Sequence, residues 1–210
     1  MKSLRSNLGK TQRGVVLFIA LIALVAMSLA AIALVRSVDT GTIVAGNLGF
    51  KQSAVLSGDY GVEEARTWLI ANKGTLSADQ SASGYYSSKQ AGLDLTGNNT
   101  PSKTDDVNWD GTNGAALVVA KALSFGASNK DPIGNSISYV VHRMCEMTGS
   151  INAPSQSCAS ASIASSGSTK DSPRYDLYGL QEKQIIYYRV TVQIAGPRNT
   201  RTFIQSWLLL

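Results

Sequence analysis

Residues 15–35 read VVLFIALIALVAMSLAAIALV, a stretch with no charged side chain and only Ser28 polar. As a helix rising ~1.5 Å per residue it reaches roughly 30 Å, the thickness of a bilayer's hydrocarbon core. A helix is the form it must take there, because backbone N–H and C=O groups find no water to pair with. Lys2, Arg5, Lys10 and Arg13 precede it with no acid among them, whereas 36–50 carries only Arg36 and Asp39 as charged residues. The positive-inside rule then keeps residues 1–14 in the cytoplasm and sends everything after Val35 across the membrane. A removable secretory signal would have an apolar region of roughly 7 to 15 residues, shorter than this one.

The chain has 210 residues, enough for such a helix and one modest domain. Its formal charge is +5, but the cations before Gly14 supply most of that excess, and the rest is close to balanced. The basicity therefore speaks of targeting. No dense Lys/Arg face interleaved with aromatics follows, so no nucleic-acid partner is expected.

Helical character extends past the apolar run. No proline occurs before Pro101. Ala54, Val55, Gly58, Gly61, Val62, Ala65, Trp68 and Leu69 recur at steps of three and four, which predicts one apolar face. Asn72-Lys73-Gly74 supplies a stop. From Val15 to Lys73 this is a rod of roughly 90 Å, suited to packing against similar rods. Gly41, Gly46, Gly49, Gly58 and Gly61 each cost up to ~1 kcal/mol relative to alanine inside a helix. They are expected as sites of close packing, with 41–49 the place where the helix would loosen.

Residues 75–114 turn rich in Ser, Gly, Asn, Asp and Thr and read as surface loop with room for short strands or a turn of helix, anchored on the head by Trp109. Within them Asp106, Asn108 and Asp110 have the D-x-N-x-D-G spacing of a calcium loop, but Leu117 stands where a bidentate Glu is wanted, so a solvated turn competes with a calcium site. Calcium is the only cofactor the sequence suggests. Residues 115–124 fit either a strand or a short helix. In 136–147, Ile137, Tyr139 and Val141 alternate with Ser138, Val140 and His142, which predicts a strand with His142 on its polar face. In 184–194, Ile186, Tyr188, Val190, Val192 and Ile194 share a face opposite Arg189, Thr191 and Gln193, with Ile185 and Tyr187 as apolar exceptions on that other face. A turn at 195–199 and a returning strand over 200–210 complete an antiparallel hairpin. The apolar face needs a cover, and the 50–72 helix is the available one. The expected fold class is α+β, a long N-terminal helix, half transmembrane and half amphipathic, packed on a small antiparallel sheet. Leu208, Leu209 and Leu210 are expected to end the last strand against the helix.

Cys145 and Cys158 are the only cysteines. With the head in an oxidising space a disulfide is the default, worth on the order of 3 kcal/mol for a loop of this length. Catalytic signals are weak. His142 is the only histidine, no G-x-S-x-G elbow accompanies it, no C-x-x-C or second His offers a zinc site, and Glu63 and Glu64 point different ways on their helix. The chain reads as a non-enzyme.

The short basic leader ending in Gly14, followed without a polar break by the apolar helix, resembles the class III signal of type IV pilins and pseudopilins. The resemblance implies removal of residues 1–14 by a prepilin peptidase/methyltransferase, with a cut between Gly14 and Val15 and methylation of the new terminus. Pilins of the repeating kind carry Glu at the fifth mature position, where this chain has Ile19. An unpaired carboxylate in an apolar core is costly, so the lack of one suits a subunit at a filament end. Leu34-Val35-Arg36-Ser37, Ala45-Gly46-Asn47, Gln52-Ser53-Ala54 and Gly61-Val62-Glu63-Glu64-Ala65 are similar to the N-terminal region of PilX-like minor pilins. Ser172-Pro173-Arg174-Tyr175, Tyr188-Arg189-Val190-Thr191 and Gln205-Ser206 are similar to the group's C-terminal region. The resemblance implies a leader (1–14), a filament-core helix (15–35), its amphipathic continuation (36–74) and a globular head (75–210) whose disulfide loop contacts partners.

It further implies a subunit that primes or caps a type IV pilus and supports adhesion or twitching motility. Its partners would be other minor pilins, the major pilin, the inner membrane assembly platform and a tip adhesin. The head would be periplasmic before assembly and at the pilus tip after it. Two competing readings share the N-terminal pattern, a type II secretion pseudopilin at the pseudopilus tip and an uncleaved single-pass anchor for a periplasmic binding domain.

Overall fold

The computed structural model describes residues 14–126, 128–164 and 182–210. The leader cations and the Ser172-Pro173-Arg174-Tyr175 motif lie outside them. Two compact units divide the chain, Met1–Gly49 and Phe50–Leu210. Helix α1, Val15–Ala71, contributes to both.

In the first unit every described residue is exposed. Gly14 has φ +61 immediately before the helix begins, a left-handed conformation that a glycine adopts without the penalty a side chain brings. The few hydroxyls are bonded within the helix. Ser28 donates to the Leu24 carbonyl (2.8 Å) and Thr40 to that of Arg36 (2.9 Å), so neither is an orphan donor in an apolar setting. This one helix is long and apolar enough to cross a membrane. It does not loosen at 41–49 as expected. Gly41, Gly46 and Gly49 are all helical, with open space where a Cβ would stand. A glycine lowers helix propensity without removing a hydrogen bond, so three spaced ones need not break the ladder.

The second unit opens with the last part of α1, which buries Ala54, Ser57, Gly58, Gly61, Ala65 and Leu69, the three-and-four spacing of a single face. That face meets Ile137, Tyr139, Val141, Val190, Val192 and Ile194 in the main core. Two glycines set the approach. A Cβ on Gly58 would run into Ile204, and one on Gly61 would lie 2.5 Å from Val192 Cγ1 and 3.1 Å from Ile137 Cγ2. A buried polar tie fixes the register. Ser57 donates to Asp131 (2.6 Å), and Asn135 Nδ2 donates to both Ser57 (2.9 Å) and Asp131 (3.1 Å). The helix ends at Ala71, with Asn72 Nδ2 on the Trp68 carbonyl (2.8 Å).

The strands are β1 (Tyr85–Tyr86), β2 (Val107–Asn108), β3 (Val118–Val119), β4 (Lys121–Ala122), β5 (Ser136–Arg143), β6 (Ser160–Ala164), β7 (Glu182–Gly196) and β8 (Thr200–Leu209). β7 and β8 form the expected hairpin, in register from Tyr187↔Leu209 to Gly196↔Thr200, around a turn at Pro197–Asn199. β5 pairs antiparallel with β7 from Ser136↔Ala195 to Arg143↔Tyr188, and β6 continues along β7 from Ser160↔Ile186. The expectation of an antiparallel sheet needs correcting, because β1 runs parallel to β5 and β2 parallel to β3. Each parallel partner is only two residues long and arrives from the preceding loop, so the direction of chain entry decides it. Residues 115–124, open between helix and strand, supply β3 and β4. Leu208 and Leu210 pack against the core, whereas Leu209 is 48% exposed.

A larger correction concerns the second face of the sheet. Residues 75–114 do not lie wholly on the surface. Tyr86, Val107, Trp109 and Val118 join Val140 in a second core, with Leu93, Leu95, Ala120 and Phe203 packed against it. Ser138, Val140, His142, Thr191 and Gln193 are therefore all buried. A handful of apolar side chains suffices because the loop satisfies its own backbone. Asp94 accepts from the amides of Thr96 (3.0 Å), Gly97 (2.9 Å) and Asn99 (2.6 Å), and Asp79 accepts from the amide and hydroxyl of Ser87 (2.7 Å each). Such Asx-type bonds replace the sheet or helix pairing that the segment lacks.

Candidate functional site

At the N-terminal end of the described chain, Gly14 and Val15 are both exposed, Val15 at 64% and Ile19 at 60%. The candidate processing junction thus sits where a glycine turn meets the first helical residue, on a surface of Val, Leu, Phe and Ile with no acid among residues 15–35. Chemically this segment can exchange one apolar environment for another, lipid or the same face of other helices.

The disulfide between Cys145 and Cys158 is present. It joins the chain just after β5 to the chain just before β6, with Cys145 fully buried. The loop it closes, 146–157, is held from two sides. Gln156 brackets Met147, accepting from its amide (3.1 Å) and donating to its carbonyl (2.7 Å). Arg143, 2% exposed, donates to the carbonyls of Ser87 (2.9 Å) and Gly149 (2.7 Å). Arg143 carries no mark in the sequence, because nothing local distinguishes a buried arginine from a surface one. Outside this frame Lys89 pairs with Glu146 at 2.6 Å. On this cross-linked loop Met147 and Ile151 are exposed at 44% and 41%.

His142 was expected on a polar face and is instead fully buried, stacked on Tyr86 at 5.6 Å with neither ring nitrogen hydrogen-bonded. Burial, aided by the charge of neighbouring Arg189, pushes its pKa down to about 3. The ring is a neutral core group.

The Asp106–Asp110 stretch is split by β2. Asn108 lies in that strand, 7% exposed, and its Oδ1 accepts from the Gly111 amide at 2.8 Å. Asp110 accepts from the Thr112 hydroxyl (2.6 Å) and amide (2.9 Å), bonds that, with the nearby charge of Arg201, lower its pKa. Asp106 faces Gly97, and its Oδ1 is buried without a hydrogen-bond partner. Among the described residues no cluster of three His, Cys, Asp or Glu side chains is arranged to hold a metal ion. Asp106 and Asp110 do line one cavity of about 520 Å³, together with Lys103, Trp109, Arg201 and Phe203. Asn108 does not. Arg201 and Phe203 come from β8, far away in sequence, and no local pattern could have joined them to the loop. Asp94 organises the cavity's rim. Burial alone would raise its pKa, but bonds from Asn99, Thr96 and Gly97 outweigh that and hold it at about 2. Its D-x-T-G-x-N setting was the one local signal that could have revealed it.

No protein-family model, curated protein or solved structure matches the chain.

Proposed function

We propose that the chain is a structural subunit of a membrane-anchored filament, a minor pilin of the PilX-like kind that primes or caps a type IV pilus. The observation that carries this reading is the contrast within α1. From Val15 to Val35 the helix is apolar, and it stays exposed as far as Gly49, whereas from Ala54 to Leu69 one face is buried on the sheet. An exposed apolar surface of that length needs a cover, and lipid before assembly and neighbouring helices after it would provide one. The peptidase would act at Gly14–Val15, and Ile19 would bias the subunit towards a filament end. The head would meet other minor pilins, the major pilin or an adhesin through its disulfide-closed loop.

The type II secretion tip subunit is the less favoured alternative. Its large helical insert has no counterpart among the described residues from 76 to 164, where only a short 3₁₀ turn is helical.

The test is the N-terminus of the chain recovered from envelopes and from sheared filaments. A start at Val15 with a methylated amine, together with loss of piliation on deletion, supports the proposal. Retention of Met1 in a working protein overturns it in favour of an uncleaved anchor. Copurification with secretion components in place of pilus components would select the pseudopilin.

A further inference from the structure

The cavity of about 520 Å³ between the 94–113 loops and β8 has the size of a small-ligand site, and its chemistry is specific. Lys103 and Arg201 bring cations to it, Asp106 and Asp110 bring carboxylates, and Trp109 and Phe203 bring aromatic rings whose centroids lie 5.7 Å apart with the planes inclined at 63°. Among the described residues no ion pair closes at Lys103 or Arg201. Arg201 stands near enough to Asp110 to lower its pKa, yet each retains free bonding capacity. The four charges cancel, so the cavity favours neither a polyanion nor a divalent cation, which two nearby cations would repel.

A wall that sets cationic donors without ion-pair partners beside carboxylate acceptors suits a ligand whose groups do both. Hydroxyls have that property, and a ring of C–H groups between them can lie on aromatic surface. We propose that this cavity binds a neutral saccharide, with Arg201 and Lys103 donating to hydroxyl oxygens, Asp110 accepting from hydroxyls, and Phe203 with the edge of Trp109 supporting the ring.

The walls are already ordered. The Trp109 indole N–H donates to the Leu95 carbonyl (3.0 Å), which fixes the ring. Asn113 Nδ2 donates to the Lys103 carbonyl (2.9 Å), and Asp94 gathers three amides of the 96–99 turn. Folding has thus met the entropy of arranging the site, which leaves more of the contact energy for the ligand. The assignment stands apart from the filament reading, since the cavity belongs to the Phe50–Leu210 unit whatever becomes of residues 1–14.

The test uses the full chain in a detergent without a sugar headgroup, titrated calorimetrically with tri- to hexasaccharides of glucose, galactose, mannose and N-acetylglucosamine. Calcium chloride forms a separate arm. At least one series should bind. Asp110→Asn and Arg201→Gln should each weaken it tenfold or more without changing the thermal midpoint, whereas Lys89→Gln, outside the cavity, should leave it unaltered. If Arg201→Gln fails to fold, Lys103→Gln takes its place. Absence of binding at millimolar saccharide, equal binding by parent and Asp110→Asn, or a response to calcium alone would each overturn the assignment.

Discussion

The two stretches of α1 share a backbone ladder and differ in everything that decides what they pack against. From Val15 to Val35 apolar residues surround the helix on all sides and none is buried; after Phe50 one face is buried, through six residues from Ala54 to Leu69, while Val55, Leu56, Tyr60 and Ile70 stay exposed. Helical conformation therefore says little about a segment's environment. The angular spread of its apolar side chains says much more: an all-round apolar surface calls for lipid or a bundle, and a stripe calls for one sheet.

Several substitutions would break this contrast if it is misconceived. Leu69→Ala, which empties a fully buried position on the stripe, should cost roughly 2–5 kcal/mol of head stability, read as a lower melting midpoint in detergent. Membrane association should be untouched. Val25→Arg should do the reverse. A central arginine costs roughly 2.5–3.5 kcal/mol of insertion, so membrane fractionation should show a sharp loss, whereas Thr67→Arg on the exposed side of the second stretch should show none.

Acid should separate the stretches as well. In the folded head the His142 pKa is depressed to about 3, against ~6.5 unfolded. Between those values the unfolded chain binds a proton that the folded one does not, so stability falls as the pH drops below ~6.5. The loss at pH 5 should be about 2 kcal/mol, measurable in chemical denaturation and absent in His142→Phe. The helix before Phe50 should keep its circular dichroism throughout.

The smallest effects concern glycines of opposite role. Gly46→Ala meets open space and should stabilise its helix by up to ~1 kcal/mol. Gly61→Ala forces a Cβ against Val192 and Ile137 and should destabilise the head by roughly 1 kcal/mol or more. Equal responses would show that the two stretches are packed alike.

Periodicity revealed the apolar helix, its amphipathic continuation, the 136–143 strand and the β7–β8 hairpin, because each pattern repeats among near neighbours. The candidate cavity was half visible. Asp106 and Asp110 stand out in a short motif, whereas Lys103, Arg201 and Phe203 carry no local mark. The expected polar face of β5 and β7 failed for the same reason: alternation shows that two faces differ, not that one is wet. Ser138, His142 and Thr191 became core residues when a distant loop covered them.

By itself, then, the amino-acid order determined that the chain carries a span-length apolar helix over 15–35 and a hairpin over 184–210, since these follow from backbone pairing and side chains a few positions apart. Only the tertiary structure decided that both sheet faces are covered, that β1 and β2 pair in parallel, and that β8 completes a cavity begun by the 94–113 loops. Those outcomes rest on contacts between segments whose separation in sequence leaves no periodic trace.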